Sequence, residues 1–345
     1  MAKSTSVSTI AYLNFITWEL NRYIPLTFLF LGTIGNILNI MVFSRPFLRT
    51  NPCSLYFISG SIANFFALYI GLITPFLGLY NLDPTQKIDV LCKIRFYLRF
   101  VTITLSTWFV LLACVDRYFS CSANATLRSW SSTRLAKRMI ILVTVICIIF
   151  PYTQVLYCYS IGDRHFCLYI NNICELIIGN VLLVCNSGVP PMLMVIISIL
   201  TIRNVKYSNQ VNVNRRRDVQ LIRILLIQVI ILVLFATPIT AQKIYSFATL
   251  YTPKSALEIA INRLFNQVTI EISYISSSVT FYVYSLTSKR FRKEAYQIFT
   301  SLFPCLPKKR NLIHPIQVKT KVYTHETIGK TGNQPMKLTS QTGIQ

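Results

Sequence analysis

The sequence predicts an all-α membrane protein, a seven-transmembrane helix bundle with a short interfacial C-terminal helix. Three observations carry that expectation. Of 345 residues, 53% are apolar and only 13% charged, about half the roughly 25% usual in a soluble domain, and the mean hydropathy is +0.51. The apolar residues fall into seven stretches, each close to the ~20 residues that span a bilayer. The charge is lopsided, with 34 Lys and Arg against 11 Asp and Glu, and it is distributed in alternation between the gaps. A surface this apolar cannot be covered in water, which excludes a soluble enzyme, a disordered tail protein and a collagen-like fibre.

Along the chain, residues 1–22 form a polar-interrupted N-terminus with no uninterrupted apolar core for a cleavable signal, so the first span is expected to act as the signal. The bundle occupies 23–286, with spans near 23–43, 54–80, 92–116, 136–158, 173–202, 219–246 and 262–286. The clearest run is Ile140 to Tyr157, which is uncharged; the third carries Lys93, Arg95 and Arg99 in its first third. Short connections and the lack of a repeat argue for one bundle. Gaps after spans one, three, five and seven hold 20 basic residues, the opposite set 10 with six acids among them. By the positive-inside rule the first set is cytoplasmic and the N-terminus extracellular.

Residues 287–300 place Phe291, Ala295, Ile298 and Phe299 on one helical face and basic residues on the other, the pattern of a helix lying in the membrane interface. Cys305 follows, a palmitoylation candidate or an ordinary free thiol. Residues 301–345 read as a cytoplasmic tail, polar and poor in aromatics from Asn311 and expected to be disordered. Arg215-Arg216-Arg217 and the rest of the basic inner face suit anionic lipid better than nucleic acid. Asn124-Ala125-Thr126 matches a glycosylation sequon but falls in an inner loop, where it is expected to stay unmodified. Ten cysteines with no CxxC pair indicate neither a disulfide scaffold nor zinc. No nucleophile–base pair is visible, so no catalytic residue, metal or cofactor is expected.

Six features resemble the rhodopsin-like (class A) G-protein-coupled receptors. Gly35-Asn36 matches the Gly-Asn of the first span, and Asp116-Arg117-Tyr118 the Asp-Arg-Tyr at the inner end of the third. Cys92 stands 25 residues before Arg117, as the family's outer cysteine does. Pro191 and Pro238 match the prolines of spans five and six. Tyr284 precedes Phe291 by seven residues, like the family's last-span tyrosine and the first aromatic of its interfacial helix. Four positions depart from the pattern: Asn64 replaces the second-span Asp of the sodium site, the fourth span has no Trp, Ala236 stands where a Trp toggle is usual, and Thr280-Phe281 replaces the Asn-Pro ahead of Tyr284. The chain resembles most a divergent invertebrate peptide receptor of the FMRFamide-like kind.

That resemblance implies a plasma-membrane receptor that converts the binding of an extracellular ligand, a peptide by this placement, into nucleotide exchange on a heterotrimeric G protein. Two alternatives are a seven-helix chemosensor without coupling and, further off, a membrane transporter, whose expected internal repeat is missing. Arg117 would form a latch with Asp218 across helices three and six, against the plainer reading of two juxtamembrane charges. Pro238 would be the pivot and Tyr284 the seventh-span switch. Cys92 would pair with a cysteine of the second outer loop: Cys167, or else Cys158 or Cys174. Arg99 lies 18 residues before Arg117, about five turns up the same helix, where the family places a ligand contact. A guanidinium there suits a carboxylate, or an internal pair with Glu271. Gln242, Tyr245 and Gln267 are further pocket candidates. Asn36 and Asn64 read as hydrogen-bonding glue between helices.

Overall fold

The computed structural model describes residues 2–162, 167–207 and 215–302; Cys305 and the expected tail lie outside them. The seven expected spans are seven long helices. They are α1 (Ala2–Phe43), α2 (Pro52–Gly78), α3 (Asp89–Ser120), α4 (Thr133–Ile149), α5 (Asn172–Leu182, Leu183–Gly188 and Val189–Tyr207), α6 (Arg215–Ala248) and α7 (Ala256–Thr287). A shorter helix, α8 (Lys289–Leu302), follows α7. Among the described residues, five helices are long and apolar enough to cross a membrane by length and composition; α4, with 17 residues, is too short to count. Large apolar side chains such as Ile141, Val145, Ile149, Met192 and Ile196 point outward, as lipid-facing positions do.

Helix boundaries follow local chemistry. Asn51 caps α2, its side chain accepting from the Cys53 N–H at 3.0 Å, with Pro52 in the first turn, where its missing N–H costs nothing. Ser132 caps α4 through the Leu135 N–H. Ser255 and Glu258 close a reciprocal capping box on α7, and the Ser255 N–H holds the Glu258 carboxyl below its ordinary pKa.

Three features stand out against the sequence expectation. α1 starts at Ala2 and runs 42 residues, about 63 Å at 1.5 Å per residue; residues 2–22 contain neither Gly nor Pro, and a helical spacing of apolar side chains carries the helix outward. The fourth span was expected to reach residue 158, but α4 ends at Ile149, just ahead of Pro151. Proline lacks an N–H and disfavours helical backbone at the residue before it, so the chain turns there before a short helix at Val155–Cys158. In α5, Leu183–Gly188 forms a wider π-type turn. The consecutive Pro190 and Pro191 cannot donate to the carbonyls of Asn186 and Ser187, and the loosened turn is used across helices instead. Trp108 Nε1 donates to the Cys185 carbonyl at 2.8 Å, and Thr107 Oγ1 to Asn186 Oδ1 at 2.8 Å.

Further polar side chains stitch the helices. Asn36 Nδ2 donates to the carbonyls of Gly32 (2.8 Å) and of Ser277 on α7 (3.1 Å), Asn39 Nδ2 to Thr280 Oγ1 (3.0 Å), and Ser106 Oγ to Asn64 Oδ1. α1 and α7 approach closely at Gly35, where an added Cβ would lie 3.3 Å from the Phe281 Cβ and 3.4 Å from the Ser278 carbonyl. Close approach of this kind is what small residues give membrane helices. Gly35→Leu is therefore expected to push α1 off α7 and cost about 1–3 kcal/mol, read as a lower melting temperature of the purified protein.

α8 buries Phe291, Ala295 and Ile298, the face expected from the sequence. An antiparallel hairpin, β1 (Tyr159–Ile161) with β2 (Cys167–Tyr169), lies between α4 and α5, with Ser160 opposite Leu168.

Candidate functional site

At one end of the bundle, α3 carries Asp116-Arg117-Tyr118. Arg117 is 1% exposed. Its Nε donates to Asp116 Oδ2 at 3.1 Å, its Nη2 to the same oxygen and, at 2.8 Å, to Asn51 Oδ1. The other oxygen of Asp116 accepts from Ser131 Oγ at 2.8 Å. A buried guanidinium needs a paired carboxylate and further hydrogen bonds; here its own helix, the cap of α2 and the loop before α4 supply them. Asn51 thus serves twice, as helix cap and as Arg117's partner. Neither Asn51 nor Ser131 was singled out from the sequence, although an Asn before a Pro-initiated helix is a visible cap signal. Asp218 belongs to α6, but its side chain lies outside the described residues. Tyr118 is half-buried.

Beside this network, Tyr284 is buried in an aromatic cluster. Its ring meets Phe43 edge-on (centroids 5.8 Å apart), Phe57 at 5.5 Å and Phe291 at 5.7 Å. α1, α2, α7 and α8 are thereby joined at one point. Pro238 lies inside α6 without ending it.

The opposite end is roofed by the hairpin. Cys92 at the start of α3 is bonded to Cys167 of β2. Cys158 and Cys174, weighed from the sequence as rival partners of Cys92, are bonded to each other. Asp89 accepts from Ser160 Oγ (3.0 Å) and the Ile161 N–H (3.2 Å) and pairs with Lys93 at 2.6 Å. Tyr159 stacks on Phe96 at 4.1 Å and packs against Tyr169 at 4.6 Å. Arg95, of the same basic cluster, pairs with buried Asp83 at 3.6 Å.

Beneath the roof is a cavity of about 110 Å³ between α2, α3, α5, α6 and α7. Its wall is mostly apolar surface, set with the hydroxyl and amide groups of Asn64, Ser106, Thr107, Asn186, Gln228 and Ser277 among others. Among the described residues Arg99 is the charged residue of that wall, and no carboxylate lines it. The Arg99 guanidinium stands 5.8 Å from the centre of the Tyr274 ring, a cation–π contact, while its Nε has no partner. The internal pair with Glu271, one of the two alternatives for Arg99, is not formed: among the described residues no ion pair joins them. Glu271, 3% exposed, instead accepts from Gln267 Nε2 at 2.8 Å, and that nitrogen also donates to Asn21 Oδ1 of α1 at 2.6 Å.

The remaining pocket candidates do not converge on the cavity. Gln267 and Glu271 form their own polar pair toward α1. Gln242 is buried with its carbonyl oxygen unpartnered, and Tyr245 is 48% exposed, under Lys254 at 5.6 Å. Ala236, in place of a bulky Trp, is part of the cavity wall. Asn64, in place of an acid, accepts from Ser106 at the cavity floor. Among the described residues no group of His, Cys, Asp and Glu is placed to hold a metal ion.

Residues 35–284 match the model of the family described as 7 transmembrane receptor (rhodopsin family). Comparison with curated proteins finds no match.

Proposed function

Because the chain belongs to the rhodopsin family of seven-transmembrane receptors, and is thus a multi-pass membrane receptor, we propose that it couples binding of an extracellular peptide in the outer half of the bundle to nucleotide exchange on a heterotrimeric G protein at the inner half. The N-terminus is extracellular, the C-terminus cytoplasmic and the membrane the plasma membrane. The distribution of basic residues supports that orientation, because the gaps next to Arg117 and α8 belong to the richer set.

One observation carries the coupling. Arg117 is fully enclosed, and it donates to the side chains of Asp116 and Asn51. A charge kept from water by a few exchangeable hydrogen bonds is a two-state element. When α6 moves away from α3, the guanidinium is free to meet a partner helix. Ligand acts by favouring that state, with only differential affinity needed. The cavity beneath a roof joined to α3, apolar with a few polar groups set in its wall, supports ligand binding at the other end.

G-protein dissociation in cells, measured for the wild type and for Arg117→Ala across several Gα subtypes, tests this. Basal or peptide-stimulated dissociation is expected in the wild type and should fall at least about tenfold in the variant, the equivalent of ~1.4 kcal/mol of coupling. Good surface expression with silence for every subtype would favour a seven-helix sensor that does not couple.

A further inference from the structure

Arg99 sits at the outer end of the cavity on α3, one turn above Ile103, another wall residue. On α6 the wall residues are Gln228, Leu232, Ala236 and Ile239. Their steps of four, four and three residues mark one face of a helix. The next member of that face is Lys243, one turn outward from Ile239, half-buried and unnoticed in the sequence reading. It lies within electrostatic reach of Arg99. Arg99 lines the cavity and Lys243 lies one turn beyond its α6 wall, one cation on each of the two helices whose separation the proposed function makes variable.

The carboxylates nearby are not bonded to them. Glu175 of α5 attracts Lys243 through space and accepts from Ser246 Oγ at 3.4 Å. Glu271 is engaged with Gln267 and lies within reach of Arg99. Among the described residues neither acid forms an ion pair with either cation. The phenols around Arg99, Tyr159, Tyr169 and Tyr274, offer ring faces and hydroxyls rather than negative charge. Arg99 Nε remains without a partner. Two like charges in a poorly solvated site repel appreciably, and a buried donor without an acceptor costs free energy. Both costs disappear if an oxyanion sits between them.

We propose that Arg99 and Lys243 form a clamp for an acidic group of the ligand, a carboxylate, sulfate or phosphate. Arg99 supplies the planar two-donor fork that such groups fit, and Lys243 the mobile point charge opposite it. The clamp rests on the reading of the outer cavity as the ligand site and adds the chemical class of what enters it. It also adds a mechanical role. Lys243 lies five residues outward of Pro238 and Asp218 twenty residues inward of it. An anion drawing Lys243 toward α3 therefore tips the outer arm of α6 inward and its inner arm away from Arg117.

The test does not depend on coupling. The full-length receptor, purified in lipid nanodiscs, is melted with millimolar succinate, inorganic phosphate or sulfate against chloride of equal ionic strength. At least one of the three should raise the melting temperature of the wild type. That shift should vanish, or need at least about tenfold more anion, in Lys243→Gln and in Arg99→Gln, and should survive in Lys243→Arg. Should Arg99→Gln fail to give a folded receptor, the half-buried Lys243 pair carries the comparison alone. No shift with any of the three anions, or an undiminished shift in Lys243→Gln, overturns the clamp. Because the readout is binding, a receptor that passes it yet stays silent toward every Gα overturns the coupling reading and leaves the clamp standing.

Discussion

Asp116→Ala is expected to cost about 3–5 kcal/mol of stability, since it leaves a buried guanidinium without its carboxylate. Arg117 is 1% exposed and donates two of its hydrogen bonds to that side chain. Asn51 is among the partners that remain, but a neutral amide oxygen already bonded to the Cys53 N–H does not replace a charge. The protein relieves the loss either by unfolding or by moving to the state in which Arg117 reaches water. Two effects should therefore appear together: a lower melting temperature in purified receptor and a raised basal G-protein dissociation in cells. Asp116→Asn, which keeps an acceptor, should show a smaller drop with the same rise. An unchanged melting temperature would mean that Asp116 does not hold Arg117. A drop without any basal rise would separate the network's role in stability from a role in switching.

Loss of the roof bond is the second large effect. Cys92 and Cys167 are 75 residues apart, and closing a loop of that size restricts the unfolded chain by about 4 kcal/mol in the entropic description. Cys92→Ser and Cys167→Ser should each sharply lower surface expression, and the double variant should be no worse than either single one, as expected for two halves of one interaction. The Cys158–Cys174 bond spans 16 residues, worth about 3 kcal/mol on the same scale, so Cys158→Ser should be the milder. A double variant clearly worse than both singles would show that Cys92 and Cys167 act separately.

Much of the molecule is legible in one dimension because apolar run length and proline position act locally. The spans, α8 and the place of Arg117 all come from such signals. What escapes is whatever depends on which helices become neighbours. Asn51 and Arg117 are 66 residues apart, and nothing in either segment announces the other. Glu271 looked like Arg99's natural counter-charge, yet Gln267, one turn away on the same helix, holds it, and the two charges stay apart. Lys243 went unnoticed because a single lysine near a span end reads as an interfacial charge. It becomes notable only once the wall of the cavity shows which face of α6 it shares. The early end of α4 was a local signal read too weakly: at Pro151 two effects, a lost donor and a constrained preceding residue, act together, and the apolar residues beyond it hid the stop.

The hairpin over the cavity is fastened to α3 by one disulfide and to the start of α5 by the other, with Asp89 gripping β1 between them. A cover held this way travels with its supports and does not swing open as a loop on the ns–μs scale would. A ligand of the proposed site would have to pass the edge of that cover both on entering and on leaving. Its arrival and departure times would then follow its own shape and stiffness: slim, flexible molecules would exchange quickly, while bulky rigid ones would dwell long after their supply outside had gone.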